Sequence, residues 1–264
     1  MARERSLPKA SHSPRDATAI TLVDSLPKGA EAVIVGATGG IGEALLALLA
    51  EDSRIGLIHA WSRQQVRSTN PKIVPAAVDI TDEASIAKAA GAVKSAHLII
   101  VATGLLHAPD GFEREKTWRD LDLGNLTRSF AINAIGPALV AKHLLPLMPR
   151  NERAIFSAIS ARVGSIGDNR LGGWYGCRAS KAALNQLIKT LSIELARSRP
   201  RAVCAGLHPG TVDTALSEPF QANVPERNLF SRERAARQLL NVLNGLTLSD
   251  SGNLFAWDGT QVPF

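Results

Sequence analysis

The residues best suited to chemistry lie between positions 174 and 181, where a phenol, a thiol and an ammonium follow one another. Cys177 precedes Lys181 by four residues, which places both on one face of a helix. A thiol has a pKa of roughly 8.5, and a neighbouring ammonium lowers it. Tyr175, the only tyrosine in the chain, precedes Lys181 by six residues, about 240° around a helix. Cys177 is therefore a candidate proton donor. Tyr175 is one only if it lies before the helix and the chain bends.

Three glycines, Gly36, Gly40 and Gly42, follow an apolar run and open an Ala- and Leu-rich stretch that starts at Ile41. Gly36 permits a tight turn, Gly40 lets the backbone approach a pyrophosphate, and Gly42 lets a helix pack against the strand. The free N–H groups and the positive dipole end of that helix then face phosphates. The spacing predicts a dinucleotide site.

The second apolar run ends at Trp61 and is followed by Ser62 and Arg63. An acidic residue at this point would bind the ribose hydroxyls of NAD, and none is present. Ser62 and Arg63 can instead bind a 2′-phosphate, which predicts NADP(H) as the cofactor.

Short apolar runs alternate with longer helical stretches. We predict strands at 32–35, 55–61, 73–79 (broken by Pro75), 98–102, 154–160, 202–207 and 254–256, and helices at 41–50, 84–91, 126–148, 177–197 and 232–243. This alternation predicts an α/β domain with a doubly wound parallel sheet. We expect one domain over residues 29–264, preceded by a flexible extension over residues 1–28, which are rich in Ser, Pro, Arg and Lys.

The stretch from Ser180-Lys181 to Asn185 resembles the active-site helix of the short-chain dehydrogenase/reductase family. The glycine spacing, three residues and then one, resembles the phosphate loop of that family. The resemblance covers about residues 33–214 and implies a Rossmann-type fold. It also implies a tyrosine four residues before the lysine, where this chain has Cys177. A water held where that phenol would lie is therefore a third candidate proton donor.

The resemblance further implies catalytic roles for Asn133, Ser160 and Lys181. Asn133 resembles the helix asparagine that holds a proton-relay water near the lysine. Counting along the strand assigns the catalytic serine to Ser160, whereas counting back from Gly164 assigns Ala161. We prefer the strand count because loops absorb insertions. Ser160 would then donate to the carbonyl oxygen, and Lys181 would lower the pKa of the acid and bind the nicotinamide ribose.

The remaining implied cofactor contacts come from three places. Asp79 and Ile80 resemble the pair that contacts adenine, and Ala102 and Gly104 stand at the end of the fourth strand. The last group resembles the motif that secures the nicotinamide carboxamide, and comprises Pro209, Gly210, Val212 and Thr214.

Two functions follow. The first is an NADP(H)-dependent oxidoreductase that moves a hydride between nicotinamide and a carbonyl or secondary alcohol. The alternative is an NADP(H)-binding regulator or scaffold without turnover. Cys177 favours it, as does Val101-Ala102-Thr103-Gly104 in the place of Asn-Asn-Ala-Gly.

Composition narrows the partners and the compartment. The net charge is +6, but the basic residues are scattered and aromatics make up 5%, so we expect no nucleic-acid partner. The sequence contains no run of eighteen apolar residues, so we expect no membrane span. Two cysteines provide neither a disulfide framework nor a metal site, and a cytoplasmic location is expected. We expect a homodimer or homotetramer that acts on a small-molecule substrate.

Overall fold

The computed structural model describes residues 21–264 except Pro109 and Asn223. The strands are β1 (Ala30–Val35), β2 (Ile55–Ser62), β3 (Ile73–Ala77), β4 (Leu98–Val101), β5 (Ala154–Ile159), β6 (Ala202–His208), β7 (Thr211–Val212), β8 (Leu229–Phe230), β9 (Leu254–Ala256) and β10 (Gln261–Val262). The α-helices are α1 (Gly40–Glu51), α2 (Glu83–Ala90), α3 (Leu123–Phe130), α4 (Gly136–Leu144), α5 (Tyr175–Ser198) and α6 (Arg232–Gly245).

Eight strands form one sheet in the order β10-β9-β6-β5-β4-β1-β2-β3, and β7 pairs with β8 outside it. All pairs in the large sheet are parallel except β9 with β10. The chain therefore folds as a Rossmann-like doubly wound domain, which confirms the predicted fold class. The order reverses between β1 and β4, and this reversal opens a crevice at the carboxyl ends of the strands.

Each face of the sheet buries a separate apolar layer. Leu45 and Leu49 of α1 pack with Leu239 of α6 on one face. Val140 of α4 and Ile188 of α5 pack on the other. Burial on both faces explains why the central strands are apolar along their whole length.

Two elements differ from their predicted form. Strand β3 continues through Pro75 because it is the edge strand, where a proline need not donate to a ladder. The predicted helix 126–148 begins at Leu123 and contains a π-helical turn at Ala131–Ile135. The stretch Leu123–Leu147 is long and apolar enough to cross a membrane by length and composition, a test that the core helix of a globular protein also passes.

The boundary predicted at residue 28 is wrong for the part that the structure describes. Val23 and Leu26 are fully buried. The backbone N–H groups of Leu22 and Val23 donate to Asp52 Oδ2 over 2.5 and 3.2 Å. Residues 21–28 therefore pack onto the domain, because apolar side chains among the polar ones give this short segment a buried face. The remainder of the predicted extension, residues 1–20, lies outside the described residues.

Candidate active site

A cleft of about 700 Å³ opens at the carboxyl ends of β1, β2 and β4. Its volume lies within the usual range for a small-molecule site. The sequence-predicted residues that line it are Gly36, Ser62, Arg63, Asp79, Ile80, Ala102 and Gly104. Residues that reasoning from sequence did not select, among them Thr38, Thr103, His107 and Arg128, line it as well.

The predicted phosphate loop forms one wall of this cleft. Gly36 has a φ of 88°, which L side chains rarely adopt. A Cβ at Gly42 would lie 2.1 Å from the carbonyl oxygen of Gly36, and a Cβ at Gly40 would lie 2.5 Å from Thr214 Cγ2. Gly42 therefore permits the contact between α1 and the loop, and Gly40 permits the approach of Thr214. Ile41 lies between these two glycines. Its side chain is partly buried and packs against apolar residues that include those of α6.

The outer end of the cleft carries Ser62, Arg63 and Asp79. The hydroxyls of Ser62 and Thr38 lie 2.5 Å apart and share a hydrogen bond, so Thr38 joins the predicted site. Burial opposes ionisation of Asp79, but the hydrogen bonds from Thr81 and the charge of Arg63 outweigh it and lower the pKa of Asp79. Ile80 lies close to Gly136, where a Cβ would approach its Cδ1 to 2.7 Å.

Asn133 and Lys181 converge at the inner end of the cleft. A Cβ at Gly104 would lie 3.8 Å from Asn133 Oδ1 and 3.9 Å from Lys181 Nζ. Asn133 is fully buried in the π-helical turn. Its side chain accepts from the N–H of Leu105 over 2.8 Å and donates to the carbonyl of Leu105 and to Ser180 Oγ over 3.0 and 3.1 Å. This asparagine therefore ties the strand-end loop to α5.

Lys181 lies buried with its ammonium directed at the backbone. Nζ donates to the carbonyl oxygen of Ile159 over 2.7 Å. Burial lowers the pKa of Lys181 from 10.5 to about 8, although the neighbouring Cys177 opposes the shift. Burial raises the pKa of the Cys177 thiol, against the opposing charges of Lys181 and Arg178. At neutral pH the thiol thus keeps its proton and the lysine stays mostly charged.

Ser160 is not placed where the prediction put it. Its side chain is 2% exposed, and its hydroxyl donates to Asn185 Oδ1 over 2.7 Å. Asn185 Nδ2 in turn donates to the carbonyl of Gly164 over 3.3 Å. Because its proton is committed to α5, Ser160 is not positioned to donate to a substrate oxygen. The next residue, Ala161, has no hydroxyl, so neither way of counting supplies the serine.

Tyr175 is also separated from the lysine. Helix α5 begins at Tyr175, two residues earlier than predicted, after Trp174 in a left-handed conformation with φ 54°. The phenol lines a different groove, with Val163, Ile166 and Ala182. The condition under which Tyr175 could act, a position before the helix, is therefore not met.

The segment after β6 closes over the phosphate loop. Pro209 precedes Gly210, whose φ of 75° turns the chain. Val212 then pairs with β8, which brings Thr214 over Gly40.

Two functional candidates in this region have no counterpart in the sequence prediction. Arg232 lies at the start of α6, and a Cβ added to Gly40 would lie 3.2 Å from its Nε. The same Nε donates to the carbonyl of Asp213 over 3.0 Å. The buried Glu115 accepts from the N–H of Gly176, at the start of α5, over 3.0 Å. No local spacing marks either residue, because their partners lie far away in sequence.

The chain matches the model of the family described as short chain dehydrogenase over residues 30–225. It is 36% identical over 146 residues to the C-signal of Myxococcus xanthus, which covers 55% of this chain and 82% of that protein. It is 35% identical over 140 residues to the 1-hydroxy-2-glutathionyl-2-methyl-3-butene dehydrogenase of Rhodococcus sp. (strain AD45), which covers 53% and 59% of the two chains.

Solved structures share the fold over almost the whole chain. The NADPH-bound carbonyl reductase from chicken fatty liver aligns with a TM-score of 0.78 at 24% identity, over 91% of this chain and 97% of the other. The carbonyl reductase Sniffer of D. melanogaster aligns with a TM-score of 0.75 at 20% identity, over 90% and 100%. At such identities the likeness concerns the fold.

Proposed function

This chain belongs to the short-chain dehydrogenase family, and on that basis we propose that it is an NADP(H)-dependent oxidoreductase that interconverts a carbonyl and a secondary alcohol. The observation that carries the proposal is the meeting of Asn133 and Lys181 at Gly104, at the inner end of a cleft whose outer end presents Ser62 and Arg63. A dinucleotide needs this arrangement, with phosphate contacts in the middle and polar groups at both ends.

The residues present fit NADP(H). Gly40 and Gly42 let Thr214 and the loop at Gly36 approach the first turn of α1 more closely than a side chain would allow. Thr103 Oγ1, in the lining of the cleft, is buried without a hydrogen-bond partner among the described residues. Gly36 and Ile41 would hold the pyrophosphate, and Lys181 the nicotinamide ribose. The cofactor, when bound, supplies the hydride or accepts it.

We assign the 2′-phosphate to Ser62, Arg63 and Thr38. Arg63 is exposed and contributes charge near Asp79. A guanidinium pairs with a phosphate through two charge-assisted hydrogen bonds. We further assign Asp79 and Ile80 to the adenine and Ala102, Gly104, Pro209, Gly210, Val212 and Thr214 to the nicotinamide half.

Proton transfer in the proposed reaction depends on Cys177 and Lys181. The thiol keeps its proton at neutral pH because burial raises its pKa. It can therefore donate directly to a substrate that approaches closely enough, or through a water held by Lys181 and Asn133. Tyr175 lines a groove other than the cleft, so we assign the donor role to Cys177 or the water.

The second candidate is an NADP(H)-binding regulator or scaffold without turnover. Cys177 in the tyrosine position, Ala161 and the inward hydroxyl of Ser160 favour it, because a hydride-transfer site then has no side-chain donor of ordinary reach. One relative, the C-signal of Myxococcus xanthus, is by its name a signal. The retained cluster of Asn133 and Lys181 favours the enzyme.

The experiment that separates the two candidates measures NADPH consumption over a panel of aldehydes and ketones. Wild type, Cys177→Tyr and the double variant Cys177→Tyr/Lys181→Met are compared, with NADPH binding followed by fluorescence. Turnover by wild type supports the oxidoreductase. If Cys177→Tyr turns over while wild type and the double variant do not, the result supports the NADP(H)-binding regulator or scaffold. Failure of wild type to bind NADPH would contradict both.

We also expect the chain to form a homodimer or homotetramer through its long helices and to work on a small molecule in the cytoplasm. Ile193 on α5 and Ile135 beside α4 are about half exposed, at 49% and 52%, and would be covered in such an assembly. Light scattering at micromolar concentration checks this expectation, and a monomer would contradict it.

A further inference from the structure

The loop that follows Gly104 is clamped to the start of α5. The N–H of Trp174 donates to the carbonyl of Glu115 over 2.6 Å. The N–H of Gly176 donates to Glu115 Oε2 over 3.0 Å. This double contact uses free donors at the helix N-terminus and holds the preceding residue, Arg114, in a defined place.

Arg114 stands between two aromatic rings, one of which contacts a residue in the wall of the cleft. Its guanidinium carbon lies 3.5 Å from the centre of the Phe220 ring and 4.6 Å from that of Trp174. His107, which lines the cleft, meets the Phe220 ring edge to face at 5.8 Å. The stack therefore runs from the cleft wall to the residue that precedes α5.

The guanidinium in this stack has unused donors. Nε and Nη1 of Arg114 are buried and make no hydrogen bond within the described part of the chain. Burial lowers the pKa of Arg114, against the opposing charge of Glu113. Asp110, on the same loop, pairs with Arg128 over 2.8 Å. Stacking on aromatic faces offsets part of the cost of burying the charge, but the N–H groups stay unsatisfied.

We propose that Arg114 binds a carboxylate on the substrate, so that the substrates are oxo acids and the corresponding hydroxy acids. A guanidinium offers two parallel N–H donors that match a carboxylate, and the surrounding rings exclude water and strengthen the pair. Phe220, in a short 3₁₀ helix at Glu218–Phe220, covers the guanidinium and would shift as the acid enters. The inference rests on the proposed function, because it names the substrate class of that same site.

The test measures binding and does not require turnover. NADPH-saturated protein is titrated with pyruvate, acetoacetate, 4-oxopentanoate and 6-oxoheptanoate, each beside its methyl ester, and NADPH fluorescence reports binding. The best-fitting acid should bind about 10- to 100-fold more tightly than its ester, the range for a charge-assisted hydrogen bond. Arg114→Met should remove this difference and leave the ester unchanged, while Arg114→Lys should keep part of it.

The chain offers a matched control on the same loop. Arg119 stacks on Trp118 at 4.5 Å but is exposed, so Arg119→Met should leave acid binding unchanged. Thermal unfolding of each variant reports whether Arg114 has only a structural role, in which it stabilises the packing between the loops.

Equal binding of acids and esters by wild type would overturn the inference even if Arg114→Met fails to fold. Equal loss of acid and ester binding in Arg114→Met would overturn it too, because a residue with a purely structural role would produce that pattern. In both cases NADPH binding remains intact. If wild type does not bind NADPH at all, the proposed function fails, and the substrate class is withdrawn with it.

Discussion

Two positive side chains at opposite ends of the cleft differ in their exposure to solvent, and this difference sets what each can do. Arg63 is exposed to solvent. Lys181 is buried, and its pKa of about 8 allows it to lose its proton about one pH unit above neutrality. One residue therefore suits a fixed phosphate contact, and the other suits a site where a proton moves.

Replacing Arg63 tests the phosphate contact. Arg63→Ala should lower the preference for NADPH over NADH by about tenfold or more, because a charge-assisted hydrogen bond to the 2′-phosphate is lost. The two dissociation constants are measured by fluorescence titration. Arg67→Ala, which removes another exposed arginine four residues later, should leave the preference as it is. An unchanged preference in Arg63→Ala would rule the assignment out.

The buried lysine should reveal itself in the pH dependence of stability. Its folded pKa of about 8 lies below the ordinary value of 10.5, so the folded state is penalised while the lysine is charged. That penalty is fully present below about pH 8 and is relieved as the pH rises towards 10.5. Relative to Lys181→Met, wild type should therefore gain up to about 3 kcal/mol over this window.

Urea unfolding between pH 7 and 10.5 measures this difference. Lys189→Met removes an exposed lysine from the same helix and should show no such trend. A stability difference between wild type and Lys181→Met that is constant with pH would show that the lysine has an ordinary pKa.

At the scale of elements, the site depends on how closely α1 approaches the end of β1. The first turn of α1 contacts the carbonyl of Gly36 at Gly42, which leaves no room for a side chain. The same turn presents the free N–H groups that would face the phosphates. Packing and binding therefore rely on the same glycine.

Gly42→Ala should disrupt both. A Cβ would lie 2.1 Å from a backbone oxygen, so the helix must shift. We expect a loss of about 2 kcal/mol or more in the free energy of unfolding and at least about tenfold weaker NADPH binding. Urea unfolding and fluorescence titration measure the two effects.

Gly245, the last residue of α6, provides the control because a Cβ there meets nothing within 4 Å. Gly245→Ala should leave NADPH binding unchanged and stabilise the protein by up to about 1 kcal/mol. If Gly42→Ala and Gly245→Ala had the same NADPH affinity and the same stability, this would contradict the close approach of α1 to the end of β1.

At the scale of the whole molecule, a segment before the first strand closes the apolar layer on one face of the sheet. Val23 and Leu26 join the layer formed by α1 and α6. Asp52, fully buried, holds the segment by accepting from Leu22 and Val23, and it also accepts from the N–H of Arg54 over 2.8 Å. The domain is therefore complete only with these residues.

Asp52→Asn should loosen this segment. The carboxylate now accepts three N–H groups, and an amide in its place would direct N–H donors at one or more of them, with an expected cost of about 2–4 kcal/mol. Urea unfolding measures the cost, and limited proteolysis reports cleavage within residues 21–28. Asp24→Asn changes an exposed carboxylate in the same segment and should cost less than about 1 kcal/mol. Resistance of Asp52→Asn to proteolysis would show that the segment is held by other contacts.

Much of the fold and part of the site could be predicted from local patterns. Apolar runs of four to eight residues marked the central strands, and the glycine spacing marked the loop between β1 and α1. Asn133, Lys181 and Gly104 lie together as predicted, because Asn133 and Lys181 are on helices and Gly104 closely follows the end of β4. The assignments of cofactor contacts themselves stay predictions.

By itself, the sequence determined the doubly wound sheet, the place of the phosphate loop and the pairing of Cys177 with Lys181, because these depend on residues close together in the chain. Only the tertiary structure decided that Ser160 turns to Asn185, that Tyr175 faces another groove and that Arg114 lies between Trp174 and Phe220. These outcomes depend on contacts between segments 25 or more residues apart, or on where a helix begins. The direction of a side chain is set by such packing, which local spacing does not encode.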